Sequence, residues 1–148
     1  MRFQTIEVSK LLKRFFDSNE EVNILMSIRP KYVEKIFKLE KKFEYRKMIF
    51  KKHISKVFVY SSFPVKKIVG YFTIGKIFKG TPKFIWSITY KESGLNFREF
   101  LRYSKYREIF ALEIQQPFLF SQAIDPFEKI KNFRPPQSFY YLKAQWKV

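Results

Sequence analysis

The spacing of apolar positions changes several times along this chain, and each change predicts an element boundary. Residues 5 to 17 set Leu11, Leu12, Phe15 and Phe16 on one side, with Lys10, Lys13 and Arg14 around them, which is the 3.6-residue spacing of a basic amphipathic helix ended by Asp17, Ser18 and Asn19. Residues 22 to 28 form a short apolar run that reads as a strand. Arg29-Pro30 then opens a helix whose Val33, Ile36 and Phe37 share one face, with Pro30 suited to the first helical turn. Phe43 and Tyr45 alternate with Glu44 and Arg46, so the period falls to two and a strand follows.

Residues 56 to 61 and 67 to 74 are rich in β-branched and aromatic side chains and predict a hairpin turning at Phe63-Pro64. Gly70 inside the second strand marks a bulge or a close backbone approach. Between 80 and 107 the pattern is helical. Pro82 starts one helix running through Trp86, and Asn96 caps another carrying Phe97, Phe100, Leu101 and Tyr103 or Ser104. Residues 109 to 114 and 118 to 121 are extended, Asp125-Pro126 caps a short helical turn, and residues 138 to 142 form a last strand. Several short strands around inserted helices argue for an α+β fold, a small mixed barrel flanked by helices.

At 148 residues, with 46% apolar and 20% aromatic side chains, the chain suits one compact domain with ample core material. The absence of cysteine excludes disulfides, thiolate metal sites and cysteine nucleophiles, and fits a cytoplasmic setting. No apolar run is long enough to cross a bilayer, and the first residues lack the apolar stretch of a signal peptide. His53 is the only histidine, expected in a surface loop, and the carboxylates are scattered. Neither a metal nor a cofactor is therefore expected.

Charge narrows the functional classes. Thirty Lys and Arg against 13 Asp and Glu give a formal charge of +17, which calls for a polyanionic partner, with nucleic acid leading and RNA favoured over DNA. The plainer alternative to a polyanionic partner is a codon bias that favours Lys and Phe together. The densest basic stretch, residues 29 to 56, holds eleven Lys and Arg against three Glu. Tyr32, Phe43, Tyr45, Phe50, Phe58, Tyr60 and Phe63 are interleaved with or follow it. Most of these rings must be core, and Tyr60 and Phe63 at the hairpin end are the best candidates for stacking on bases.

The segment 36 to 46, read with residues 60 to 70 and with Pro135, Pro136, Gln137, Ser138 and Phe139, resembles the ASCH family, a branch of the PUA-like β-barrels. In that family a Gly-x-Lys-x-x-(Glu or Thr)-x-Arg loop follows the first helix. Lys41, Glu44 and Arg46 match it, whereas Leu39 stands in the glycine slot. The likeness covers residues 24 to 75 well, and extends more loosely to the Ser93-Gly94-Leu95 loop and the strand of Phe110, Ala111, Leu112, Glu113 and Ile114. It implies a PUA-like (ASCH) barrel over residues 23 to 148, with residues 1 to 22 as an N-terminal helical extension, and a cleft beside the loop that binds RNA or acts on modified nucleosides. Some members are described as predicted transcriptional regulators, others as hydrolases.

On this reading Arg29, Lys31, Lys41, Lys42, Arg46, Lys47, Lys51, Lys52, Lys66 and Lys67 are candidate nucleic-acid contacts, together with Tyr60 and Phe63. Lys41 suits a phosphate as a point charge, and the planar fork of Arg46 suits a phosphate or a base edge. Glu44 and Arg46, two apart on one strand face, equally suit a solvated ion pair or a pairing across the barrel. Lys41 and Glu44 are the catalytic candidates if the chain is an enzyme, either a ribonuclease or an amidohydrolase acting on an acylated cytidine. For the latter, Glu44 in place of threonine removes a hydroxyl. A desolvated Lys41 would be a base or nucleophile, and Glu44 beside it would oppose the necessary fall in pKa. Capture of an acidic protein or a lipid surface through the N-terminal helix is a third reading.

Overall fold

The computed structural model describes residues 6–7, 22–102, 105 and 107–142. Seven strands build one mixed sheet: β1 (Ile6–Glu7), β2 (Val22–Ile28), β3 (Phe43–Arg46), β4 (Ile54–Ser61), β5 (Lys67–Gly80), β6 (Ile109–Ile124) and β7 (Phe139–Tyr141). The spatial order is β3-β6-β5-β4-β2-β7, with β1 paired to the far end of β5. Among the described residues only the β2–β4 pair is parallel. Among the described residues there are four short helices: α1 (Pro30–Phe37), α2 (Pro82–Thr89), α3 (Phe97–Leu101) and α4 (Pro126–Lys129). The sheet curls into a half-barrel, and the fold is α+β as expected. None of these helices is long and apolar enough to cross a membrane.

Each face of the sheet carries its own apolar cluster. Ile24, Met26, Ile36, Val57, Val59, Phe72 and Leu112 fill the concave side beneath α1. Leu25, Phe58, Tyr60, Ile68 and Leu142 line the opposite side. This alternation along β2 and β4 follows the two-residue period of a strand buried on both faces. A third cluster joins Phe43, Tyr45, Ile109 and Ala111 to Ile85, Leu95 and Phe100, and so pins α2 and α3 against β3 and β6. α3 begins with a capping box in which the Asn96 side chain accepts from the Glu99 N–H and the Glu99 side chain accepts from the Asn96 N–H.

Three expectations need correction. Ile6 and Glu7 are extended and pair with Lys79 and Phe78, so the helix expected from residue 5 does not form there; its remainder, 8 to 17, lies outside the described residues. The strands expected at 109 to 114 and 118 to 121 are one strand, β6, which absorbs the polar interruption through a left-handed Gln116 (φ 48°) and register shifts against β5. The strand expected to stop at 74 continues to Gly80. Gly70 fulfils both roles proposed for it: the register shifts beside it on both flanks, and a methyl there would overlap the Phe118 carbonyl and press on the Phe37 ring.

The two ends of the sheet, β3 on one side and β2–β7 on the other, are joined by side chains. The Arg46 Nη2 donates to the Ser27 carbonyl (2.8 Å) and Nη1 to Ser138 Oγ (3.3 Å). The Phe50 ring meets Phe139 edge-on, and the Lys51 N–H donates to the Tyr141 hydroxyl (2.7 Å).

Candidate nucleic-acid cleft

The key loop begins where α1 ends. The Glu40 N–H reaches back to the Lys35 carbonyl (2.8 Å) and the Leu39 N–H to the Ile36 carbonyl (3.1 Å), a Schellman ending that requires a left-handed residue at position 39. Leu39 adopts it, at φ 64°, with its side chain exposed. The loop thus keeps the geometry that glycine would give, at the steric cost of a Cβ. Leu39→Gly is expected to raise stability by up to about 1 kcal/mol, the relief of left-handed strain exceeding the extra chain entropy. A urea midpoint unchanged or lowered would contradict this.

This ending turns Lys41 inward. Its side chain is 1% exposed, its Nζ donates to the Ser93 carbonyl (2.8 Å), and Gly94, at φ 72°, lies so close over its stem that a Cβ there would collide. The ammonium sits 4.9 Å from the Tyr45 ring centre, 5.3 Å from that of Tyr32 and 3.7 Å from Glu44 Oε1. Burial lowers its pKa to about 8, outweighing the pull of Glu44 in the other direction. The desolvation that a reactive lysine needs is therefore present. As a direct phosphate contact, however, Lys41 must be corrected, because its charge is enclosed by protein.

Glu44 is buried between two cations. Its second oxygen is 2.9 Å from Arg46 Nη2, and both residues line a cleft of about 660 Å³. Arg46 thus pairs with Glu44 and also spans the ends of the sheet, which is the cross-barrel alternative read from the sequence. Lys41 stands one layer behind them, outside the cleft lining.

The cleft walls come from five separate segments. Arg29 and Tyr32 enter from the start of α1, Lys47 follows β3, Tyr60, Ser62, Phe63 and Lys66 come from the β4–β5 hairpin, and Pro135, Pro136, Gln137 and Ser138 precede β7. Glu99 and Arg102 arrive from α3, and sequence reasoning missed them along with the Tyr32 hydroxyl. Glu99 accepts from Lys31 Nζ (2.8 Å) and the Tyr32 hydroxyl (2.8 Å) while capping its own helix. The bond from Lys31, then that from the Asn96 N–H, holds its carboxyl down to about 2. The capping-box pattern in the sequence was a signal for its position, though not for its partners across the cleft.

The other expected contacts divide. Phe63 is 80% exposed at the mouth, but the Tyr60 ring is buried against Phe133, so its expected exposure is corrected. Lys66 lines the cleft and lies 5.0 Å from the Phe127 ring centre. Lys31 and Lys42 are tied to Glu99 and Glu92, Lys52 lies over the Tyr141 ring, and Lys51 and Lys67 are exposed outside the cleft lining. His53 is half-buried rather than on the surface.

The crystal structure of ASCH from Zymomonas mobilis superposes on this chain with a TM-score of 0.76 over 82% of this chain and 88% of that one, at 24% identity. The chain has the ASCH-domain fold. A variant of the same protein with one serine changed to alanine superposes with a TM-score of 0.73 at 21% identity, covering 82% of this chain and 89% of that one. In sequence, an ASCH domain-containing ribonuclease of Zymomonas mobilis subsp. mobilis is 25% identical over 134 residues, covering 87% of this chain and 90% of the relative. No family model matches. The likeness to ASCH proteins read from residues 36 to 46, 60 to 70 and 135 to 139 is thus supported along most of the chain.

Proposed function

We propose that this ASCH-fold protein binds RNA in the cleft between the ends of its sheet, using Arg29, Lys47, Lys66 and Arg102 around the mouth and Arg46 at the floor. The observation that carries this reading is the charge balance of the cleft. Five cations line it against two carboxylates, and Glu44 and Glu99 are already engaged by Arg46 and Lys31. That excess of cations gives the cleft a net positive field, which attracts phosphate. The volume suits a nucleotide, and the name of the ribonuclease relative supports RNA as the polyanion.

Titration of short single-stranded RNA across a range of salt tests this. With about four phosphate contacts, log affinity is expected to fall with log salt at a slope of roughly −3, and each alanine at Arg29, Lys47 or Lys66 is expected to reduce that slope by about 0.7. Affinity independent of salt rejects the reading.

A second reading, RNA cleavage, is favoured by the name of the same relative. Glu44 is the ionisable carboxylate on the cleft floor nearest to Lys41, so it is the group to alter. Cleavage of labelled RNA by the wild type that disappears in a folded Glu44→Gln variant would support this reading. Intact RNA after prolonged incubation with saturating wild-type protein would reject it.

A further inference from the structure

α2 and α3 turn outward an apolar face that neither the core nor the cleft uses. Trp86 stands at its centre, its ring 4.6 Å from that of the buried Phe100, 5.8 Å from Phe97 and 6.1 Å from Tyr90, centre to centre. Phe97 and Leu101 are one turn apart on α3 and extend the same face. Tyr90 is 48% exposed, Phe97 55% and Leu101 45%, whereas Trp86 is half-buried. Apolar side chains left in water contribute little to folding, and a contiguous group of them marks a contact surface.

Cations border this face. Lys83 lies one turn before Trp86 on α2, the Lys91 ammonium is 6.0 Å from the Tyr90 ring centre, and Arg98 lies one turn before Leu101 on α3. All three are exposed. The nearby carboxylates are engaged elsewhere, Glu92 by Lys42 at 3.2 Å and Glu99 by Lys31 at 2.8 Å, and among the described residues none pairs with these three cations.

We infer that this face docks on an anionic lipid surface, with Tyr90, Phe97 and Leu101 entering the headgroup layer and Lys83, Lys91 and Arg98 meeting lipid phosphates and carboxylates. The inference does not rest on RNA binding. Tyrosine and tryptophan suit that boundary because the ring body is apolar and the tip is polar. Each Lys or Arg held near such a surface strengthens binding about fivefold, and the net charge of +17 adds attraction at a distance.

The same residues argue against other occupants. Bases stack on splayed rings, whereas here Tyr90 and Phe97 both pack on Trp86, and Leu101 is aliphatic. A second copy meeting this face about a twofold axis would set its cations against their own copies. A partner helix seeks a groove, and none of the four apolar side chains lines the cleft or the smaller hollow beside α4.

The test is co-sedimentation with vesicles of phosphatidylcholine alone or mixed with phosphatidylserine. Wild type is expected to bind the mixed vesicles and not the neutral ones. Lys83→Gln/Lys91→Gln/Arg98→Gln and Tyr90→Ser/Phe97→Ser are each expected to lose about tenfold or more, and Phe97→Trp to bind at least as tightly as wild type. The altered side chains are exposed, and a urea midpoint near that of wild type verifies folding. Trp86 and Trp146 are the only tryptophans, so in a Trp146→Phe background emission reports Trp86 alone. It is expected to shift to the blue on mixed vesicles and to be quenched by lipid brominated in the acyl chain.

The inference is overturned if wild type adheres to no anionic vesicle at low salt, or if Trp86 is not quenched. It is equally overturned if Tyr90→Ser/Phe97→Ser stays within about twofold of wild type, since overall charge alone then causes adhesion. Loss of RNA affinity or of self-association in that variant, with vesicle binding kept, assigns the face to another occupant and overturns it too. Arg29→Ala/Lys47→Ala is expected to keep vesicle binding, and its loss would move the contact to the cleft. If wild type binds vesicles but no RNA, the cleft reading fails and the lipid face stands.

Discussion

Arg46→Ala is expected to lower the unfolding free energy by about 3–5 kcal/mol, because it removes one partner of a buried ion pair. The Arg46 and Glu44 side chains are 13% and 9% exposed, so solvent screens little of their interaction. Without the guanidinium, Glu44 keeps only the Lys41 ammonium at 3.7 Å, and the Ser27 carbonyl and Ser138 Oγ lose a donor. Arg46→Lys keeps the charge but not the fork that reaches both sheet ends, and is expected to recover part of the loss. Urea unfolding at constant m-value measures both variants. A midpoint for Arg46→Ala equal to wild type would show that the sheet ends are held together by the Phe50–Phe139 and Lys51–Tyr141 contacts alone.

The second large effect is on pH dependence. Lys41 has a pKa of about 8 in the fold against 10.5 for the free side chain. Below pH 8 both folded and unfolded chains carry the proton, and the fold bears the full penalty of an enclosed charge. Between pH 8 and 10.5 the unfolded chain still holds a proton that the folded chain has released, so stability rises with pH. The gap corresponds to roughly 3 kcal/mol. Other lysines and tyrosines titrate in the same window, so the quantity to follow is the stability of wild type minus that of Lys41→Met, measured at pH 7, 8.5 and 10. That difference is expected to shift toward wild type as pH rises. A flat difference would mean that Lys41 is solvated in solution.

The two residues also show how far local pattern reaches. The end of α1, strand β3 with Glu44 between Phe43 and Tyr45, the hairpin at Phe63-Pro64 and the Asn96 cap were legible, because each depends on neighbours a few positions away. Arg46 was legible as a choice between two partnerships, and only the curl of the sheet decides which one forms. Lys41 was not legible as an enclosed lysine. It sits among many exposed lysines, and what covers it, the Ser93 carbonyl and the backbone of Gly94, lies more than fifty positions later in the chain. Glu99 and Arg102 were missed for the same reason, since α3 is brought to the cleft by contacts distant in sequence, such as the packing of Phe100 against Tyr45. β6 was divided in two because Gln115 and Gln116 interrupt its apolar alternation, and that interruption is a bulge.

The incomplete closure of the sheet gives the cleft a mechanical character. Along the path from β3 to β7 every neighbouring pair of strands is joined by backbone hydrogen bonds, and only the junction between those two ends relies on side chains. Such a body is a split ring, stiff around its circumference and compliant at the gap. Its aperture is set by the reach of a guanidinium rather than by the fixed spacing of a ladder. A bound strand that drew Arg46 toward its own phosphate would therefore loosen the gap as it was gripped, tying the width of the opening to occupancy.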